Sequence, residues 1–423
     1  MQTIKRIGAV GGAIALALCW PLAVGQIGQS VITDGVAHVS NDKVTAELVS
    51  YDRGYLSSKV QTRYTVVDPK MKQQMEAEGF PTEIVMDSDV HHGLLSLTSV
   101  STFPQFPDFS MVINSTTRLN GNTEYTATTE AWHYVNQGET PFTLSVTPMT
   151  LSGTATTLGE ITYSASIPSI DMDFSTGEKV QMSNFAGEGH GKQVNGFWIG
   201  QQKLTLEKLD TRDTQGASPL SADNVSYDFT STLDELEQRF SSQHRVMAGQ
   251  LVNDSGTVNN LQIDFTLGDV DSLSFEKLSN IYQNHPDMSQ QAISEALPYV
   301  DTLFAKGFKL SMNKMALNVG DGEFDSNWAL AIPEGTHDVL QDPSVILSAL
   351  TGHLNTFVSS QLAADYPFVQ QGVDELVMMD MATQDEKGYH LKADVKDGNL
   401  VFANGQQIPL VALLMPLMMQ QGY

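Results

Sequence analysis

Asp171-Met172-Asp173 sets two carboxylates two residues apart. On a strand they share one face, where they could hold a cation or serve as the acid and base of sugar cleavage. With 49 acidic residues in the chain, such pairs arise without chemistry, and a solvated face is the simpler explanation. His91-His92 offers two imidazoles of the kind that bind zinc or copper. Neighbours on a strand point to opposite faces, however, so the two cannot easily reach one ion. The other histidines are scattered without ligand spacing. Gly187-Glu188-Gly189-His190-Gly191-Lys192 has the outline of a phosphate loop. Ala186 stands where the first glycine belongs, Gln193 replaces the hydroxyl residue, and Glu188 would repel phosphate, so the segment reads as a flexible surface turn. Gly-x-Ser-x-Gly, His-Glu-x-x-His and Cys-x-x-Cys are all absent. The sequence therefore offers no catalytic residue, no metal set and no cofactor-binding residue, and the expectation is a protein that is not an enzyme.

Composition narrows the field further. Hydrophobic residues make up 41% of the chain and charged ones 17%, enough apolar content for a packed core rather than a disordered chain. A formal charge of −26 disfavours a nucleic-acid partner, because no basic patch could neutralise phosphates. It also disfavours adsorption to anionic lipid through charge.

The amino terminus carries an address. Lys5 and Arg6 precede an uncharged run from Ile7 to Gly25, with Ile7, Ile14, Leu16, Leu18, Trp20 and Leu22 as its main apolar side chains. Roughly 19 residues of helix suffice to cross a bilayer core, and the positive flank stays on the cytoplasmic side. Ala23-Val24-Gly25 is a poor cleavage site, and the run exceeds the ~7–15 apolar residues usual in a cleaved signal. Cys19 follows Leu18, too large a residue for a lipoprotein site. It is the only cysteine, so no intrachain disulfide can form and the exported body must fold on its core alone.

Beyond the anchor, apolar residues alternate with period two, the mark of half-buried antiparallel strands. Val60–Val66, Phe142–Val146, Ile161–Ile167, Leu261–Leu267 and Tyr389–Val395 follow this pattern, as does Ile170–Phe174 after a break at Pro168. Leu400 and Phe402 lead into Asn404-Gly405, a hairpin-turn dipeptide. Helical spacing occurs at Gln290–Ala305, kinked by Pro298, and at Pro343–Asp365, ended by Pro367. The expected fold is α+β and β-dominated: extended antiparallel sheets with two helical segments and one amino-terminal transmembrane helix. Residues 1–25 form the anchor, 26–210 an amino-terminal β-rich region, and 211–423 a carboxy-terminal β-rich region holding the two helices. The boundary is placed at the polar stretch Asp210–Asp223. Leu261, Ile263, Phe265 and Leu267 with Tyr389, Leu391 and Val395, joined by Leu413, Met415 and Met418 from the methionine-rich tail, are the candidate lining of a hydrophobic groove.

Several segments resemble the YdgA-like family of bacterial envelope proteins, a family of unassigned function. Tyr51-Asp52-Arg53-Gly54-Tyr55-Leu56-Ser57-Ser58 looks like its aromatic–x–Arg–Gly–x–x–Ser–Ser element, and Val90-His91-His92-Gly93 is similar to its Val–Asp–His–Gly, with His91 in place of Asp. Gly138–Phe142, Gly200–Lys208, Leu251–Asp254, Ala296–Pro298 and Asn404–Gln406 continue the series in order along nearly the whole chain. The resemblance implies a single-pass protein of the bacterial inner membrane with a long β-rich body in the periplasm, and it carries over no catalytic residue. Arg53-Gly54 and His92-Gly93 read as bends, His92 as a structural histidine.

Three functions remain open at this stage. The first is a non-catalytic envelope protein that binds lipid or another hydrophobic partner in assembly or maintenance. The second is an oligomeric structural protein, for example one supporting motility or secretion. The third is a hydrolase using Asp171 and Asp173. The expected partners are the membrane, a lipid or hydrophobic ligand, and further copies of the chain. The anchor is expected to be retained, which amino-terminal sequencing of membrane-extracted protein checks; a mature chain starting at Gln26 would sink it.

Overall fold

The computed structural model describes residues 24–412 apart from 25, 27, 31, 34–35, 37–39, 41–42, 78–80, 107–109, 137–140 and 286–288. The anchor residues Ile7, Ile14, Leu16, Leu18, Trp20 and Leu22 therefore lie outside the described residues, as do Leu413, Met415 and Met418. The protein is β-dominated, with 57% of the described residues in strands. The chain divides into two compact units, residues 1–190 with 209–218, and residues 191–208 with 219–423.

In the first unit β1 (Val44–Arg53), β2 (Ser57–Val66), α1 (Pro69–Ala77), β3 (Glu83–His92), β4 (Ser96–Thr102), β5 (Val112–Arg118) and β6 (Thr123–Thr128) follow one another. All these strands pair antiparallel with their neighbours in sequence. Next come β7 (Trp132–Asn136), β8 (Phe142–Val146), β9 (Thr150–Ala155) and β10 (Glu160–Phe174). β9 pairs back to β6, while β10 takes two partners in succession, β9 along Ile161–Ser166 and β8 along Ile170–Phe174. The expected break at Pro168 is not a break in the strand. Proline lacks a ladder donor, and on this edge it falls in the gap between the two partners, where neither ladder needs its N–H. Val60, Val90 and Leu97 form a small core, with Leu48 and Tyr51 against it. Val24 and Ile32, at helical positions, pack on the same cluster, which Gly28 permits: a Cβ there would lie 2.3 Å from Leu97 Cδ1. Gly54 and Gly93 each close a hairpin turn, their N–H groups donating to Ser57 O and Ser96 O.

β11 (Lys179–Val194) and β12 (Phe197–Arg212) contribute residues to both units. The glycine-rich stretch Gly187–Lys192 lies inside β11 and is not the surface turn the sequence suggests. Its glycines alternate with bulkier residues, and at Gly191 a Cβ would lie 2.8 Å from Trp198 Cε2, so the missing side chain makes room for an indole.

The second unit is an antiparallel meander: β13 (Leu220–Asp234), β14 (Arg239–Asn253), β15 (Gly256–Asp271), β16 (Phe308–Val319), β17 (Gly322–Ile332), β18 (Thr351–Ser359) and β20 (Gly388–Lys396), paired in that order. The far edge of β20 takes β19 (Ala382–Gln384) and β21 (Asn399–Phe402), and β21 takes β22 (Gln407–Pro409). The β21–β22 turn is built on Asn404-Gly405 as expected: Gly405 has φ 85° and Asn404 Oδ1 accepts from Gln406 N. Between the strands lie α2 (Ser272–Asn284), α3 (Gln290–Lys306), α4 (Ser344–Ala349), α5 (Ser360–Asp365) and α6 (Pro367–Met378).

Helix is thus more widespread than the two expected segments. Gln290–Lys306 holds, with Pro298 inside it. Pro343–Asp365 does not hold as one helix, because its centre is β18. There Gly352, Leu354, Thr356 and Val358 alternate, and β-branched side chains fit a pleated surface better than a helix. Pro367 opens α6 rather than merely ending what precedes it, since the first helical turn needs no N–H from it.

One polar knot ties α2 and α3 to the end of the sheet. Asp271, 1% exposed, caps α2 by accepting from Ser274 N at 3.0 Å and from its hydroxyl at 2.6 Å, and it pairs with Lys306 Nζ at 2.5 Å. Arg239 donates to the carbonyls of Lys306 and Gly307 at the end of α3 and to that of Asp269. Burial raises the Asp271 pKa, but the bonds from Lys306 and Ser274 and the Lys306 charge outweigh it and hold the carboxyl below its ordinary value. Asp271→Ala is expected to lower stability by about 2 kcal/mol or more, the loss of a cap plus unmet donors, read by denaturant unfolding. Lys306→Met, which removes only the exposed partner, is expected to cost less.

Candidate functional site

Directly opposed residues in an antiparallel ladder share a face. Starting at Phe229 in β13, the ladder runs through His244, Phe265, Met312, Trp328, Leu354 and Ala393 to Phe402 in β21. The row beside it runs Tyr227, Val246, Ile263, Met315, Ser326, Thr356, Leu391, Ala382. On the other side lie Leu267, Leu310, Leu330, Gly352, Val395 and Leu400. Seven strand spacings of ~4.8 Å make the central row about 34 Å long.

The structure places Leu261, Ile263, Phe265, Leu267, Tyr389, Leu391 and Val395 on this one face. It does not expose them equally. Tyr389 and Val395 are buried, and Tyr389 forms a core with Ala363 and Val373 of α5 and α6, its hydroxyl accepting from Gln370 and Gln384. At the opposite end Phe275 of α2 stacks with Phe240 and Phe197. Between these helix-covered ends, Ile263, Phe265, Met312, Met315, Trp328 and Leu354 are half-buried. Phe265 and Trp328 lean together edge to face, ring centres 6.5 Å apart.

Sequence reasoning missed the middle of the face. β16 slips register between Met312 and Met315, and this bulge puts both methionines on the apolar side three residues apart, which defeats a period-two scan. Trp328 and Leu330 were visible as i, i+2 neighbours, but Ser326 interrupts the pattern.

His244 is the one polar side chain in the central row. Its Nδ1 lies 2.8 Å from Tyr227 Oη and its Nε2 3.2 Å from Ser242 Oγ, with Phe229 tilted against the ring at 5.1 Å. Burial lowers its pKa from 6.5 and raises that of Tyr227, so at pH 7 both are neutral and put no charge on the row.

The other face of the same strands is polar. Asp264, 5% exposed, accepts from Gln243 and Asn313 and pairs with Arg245 at 2.9 Å. Burial raises its pKa, and those three partners more than offset the effect and hold it low. Lys314 pairs with Asp325, and Asn355 donates to Asn327.

The residues singled out for chemistry have structural partners. Asp171 accepts from Ser169 and Gln181, and Asp173 pairs with Lys179. His92 is buried and bonded to Ser58 Oγ at 2.8 Å and to Tyr55 O, while His91 sits exposed on the opposite face of β3. Among the described residues no group of three or more His, Cys, Asp or Glu could hold a metal ion. No helix among them is long and apolar enough to cross a membrane.

A family model described as a bacterial protein of unknown function (DUF945) matches residues 4–411. The chain belongs to this family. No curated protein and no solved structure matches the chain.

A histidine with a lowered folded pKa resists a proton that the unfolded chain accepts, so stability falls as pH drops below about 6.5. The lowered carboxyls of Asp264 and Asp271 add a second fall below about pH 4. His244→Phe is expected to flatten the first fall and leave the second, as measured by denaturant unfolding from about pH 2 to about pH 8.

Proposed function

We propose that this DUF945 protein is a YdgA-like, non-catalytic protein anchored in the inner membrane, and that the second unit's apolar sheet face holds an acyl chain on the periplasmic side. The observation that carries this reading is the central row from Phe229 to Phe402. It is continuous across eight strands, uncharged, half-buried along most of its length, and flanked by helices that pack at the two ends of the strands. Aromatic and methionine side chains suit such a ligand, because a thioether adapts its shape and an aromatic ring offers a broad apolar contact. The segregated polar face lets the sheet stay wet on its other side. The amino-terminal apolar run would keep the body beside the bilayer from which a lipid could be drawn.

Phe265→Asp tests the site. If Phe265 merely closed a dry core, an unpaired carboxylate there would unfold the protein. On a half-buried strip water can reach the new charge, so the expected outcome is a melting temperature within about 5 °C of wild type and at least about tenfold weaker uptake of a fluorescent fatty acid. A brominated fatty acid should also quench Trp328 fluorescence in wild type, and Trp328→Phe should remove that component. A wild type that takes up no acyl probe, and that sediments as an oligomer with this face covered, would replace the lipid reading with the structural one.

A further inference from the structure

The first unit carries a second surface of opposite chemistry. A cleft of about 520 Å³ lies across β4, β5, β6 and β9. One wall is the ladder Thr98, Thr116, Glu124, Thr154, and the other is Val100, Asn114, Thr126, Ser152. These two ladders sit two residues apart on every strand, so they share a face, and the backbone between them forms the floor. Each strand therefore contributes one facing pair of side chains. A smaller cleft of about 190 Å³ shares Glu124 and Thr154 and continues the channel toward Arg118 and Asn122.

The lining decides what can lie there. Seven of the eight wall side chains carry a hydroxyl, amide or carboxylate, and Val100 is the exception, so an acyl chain laid there would leave polar groups without partners. Arg118 is the one cation of the two clefts and is engaged with Glu124 at 2.6 Å, so an anion finds no free positive partner in a chain of charge −26. A peptide cannot add as a strand, because each floor strand is already paired on both edges. A ligand that is uncharged, rich in hydroxyls and extended meets all three conditions. Wall groups repeat every ~4.8 Å across the strands, close to the length of one hexose in an extended glycan.

We propose that this channel binds an extended, uncharged oligosaccharide laid across the strands, one sugar over each of β4, β5, β6 and β9. The side chains act as paired donors and acceptors, and the Arg118–Glu124 pair marks one end. This site does not depend on the acyl-chain reading of the second unit.

The test titrates the full chain with cellotetraose, chitotetraose and maltotetraose, following calorimetry and the methyl signals of Val100 and Thr126. Wild type is expected to saturate with at least one of the three, with shifts centred on those methyls. Thr126→Val with Ser152→Ala removes two hydroxyls while keeping side-chain size and strand preference, and it is expected to weaken binding about tenfold or more. Thr102→Val, two residues beyond the channel on the same face, is expected to change nothing. Should the double variant fail to melt as wild type does, Ser152→Ala alone serves, with a smaller loss in the same direction. Absence of saturation by all three sugars, shifts centred elsewhere, or undiminished binding by a folded double variant overturns the proposal.

Discussion

A wide antiparallel sheet with one apolar face needs something to cover that face, and the second unit covers it only at its ends. The ladder decides which residues form the face, since register alone puts Phe229, Phe265, Trp328 and Leu354 in one line. The helices between strands are too few to roof it. α2 and α3 gather Phe240 and Phe275 over one end, and α5 and α6 enclose Tyr389 at the other. The half-buried middle follows from this shortfall, and so does the need for an uncharged His244. A protonated imidazole between two phenylalanines would lose more in desolvation than its bonds to Tyr227 and Ser242 return.

Cohesion in this unit comes from polar knots as well as apolar contact. Asp264 and Asp271 are almost fully buried, yet each is matched by several donors, so each rewards correct assembly. Asp271 does this at the point where the chain leaves β15 for α2, so the knot also sets the angle at which α2 and α3 leave the sheet. Without a disulfide, such junctions must be held by side chains of this kind.

Strand identity was legible where local rules act alone. Leu261–Leu267 and Tyr389–Val395 announce themselves by alternation, and Asn404-Gly405 announces a turn by its tolerance of positive φ. Segments whose structure depends on distant partners were not legible. β18 carries apolar residues that satisfy helical spacing and alternation together, and the neighbouring β17 and β20 settle the choice. The run through Pro168 depends on which strand lies alongside. Half of the apolar face was visible in the sequence; the methionines of β16 were hidden by a bulge, and the partners of Asp264 come from β14 and β16. The hydroxyl channel was least visible of all. Its walls read as ordinary solvent-facing threonines until β9 returns to β6 rather than to β8.

That return has a consequence for how the first unit yields under stress. β10 is one continuous strand, but its two halves belong to different neighbourhoods, β9 and β6 on one side of Pro168 and the β7–β8 hairpin on the other. The hairpin's ladder can open along Ile170–Phe174 while the rungs from Ile161 to Ser166 stay closed, because the two ladders end on different strands and share no rung. The strand thus acts as a seam between two cooperative blocks, and amide protons of Trp132–Asn136 and Phe142–Val146 can exchange with solvent without disturbing those of Thr150–Ala155.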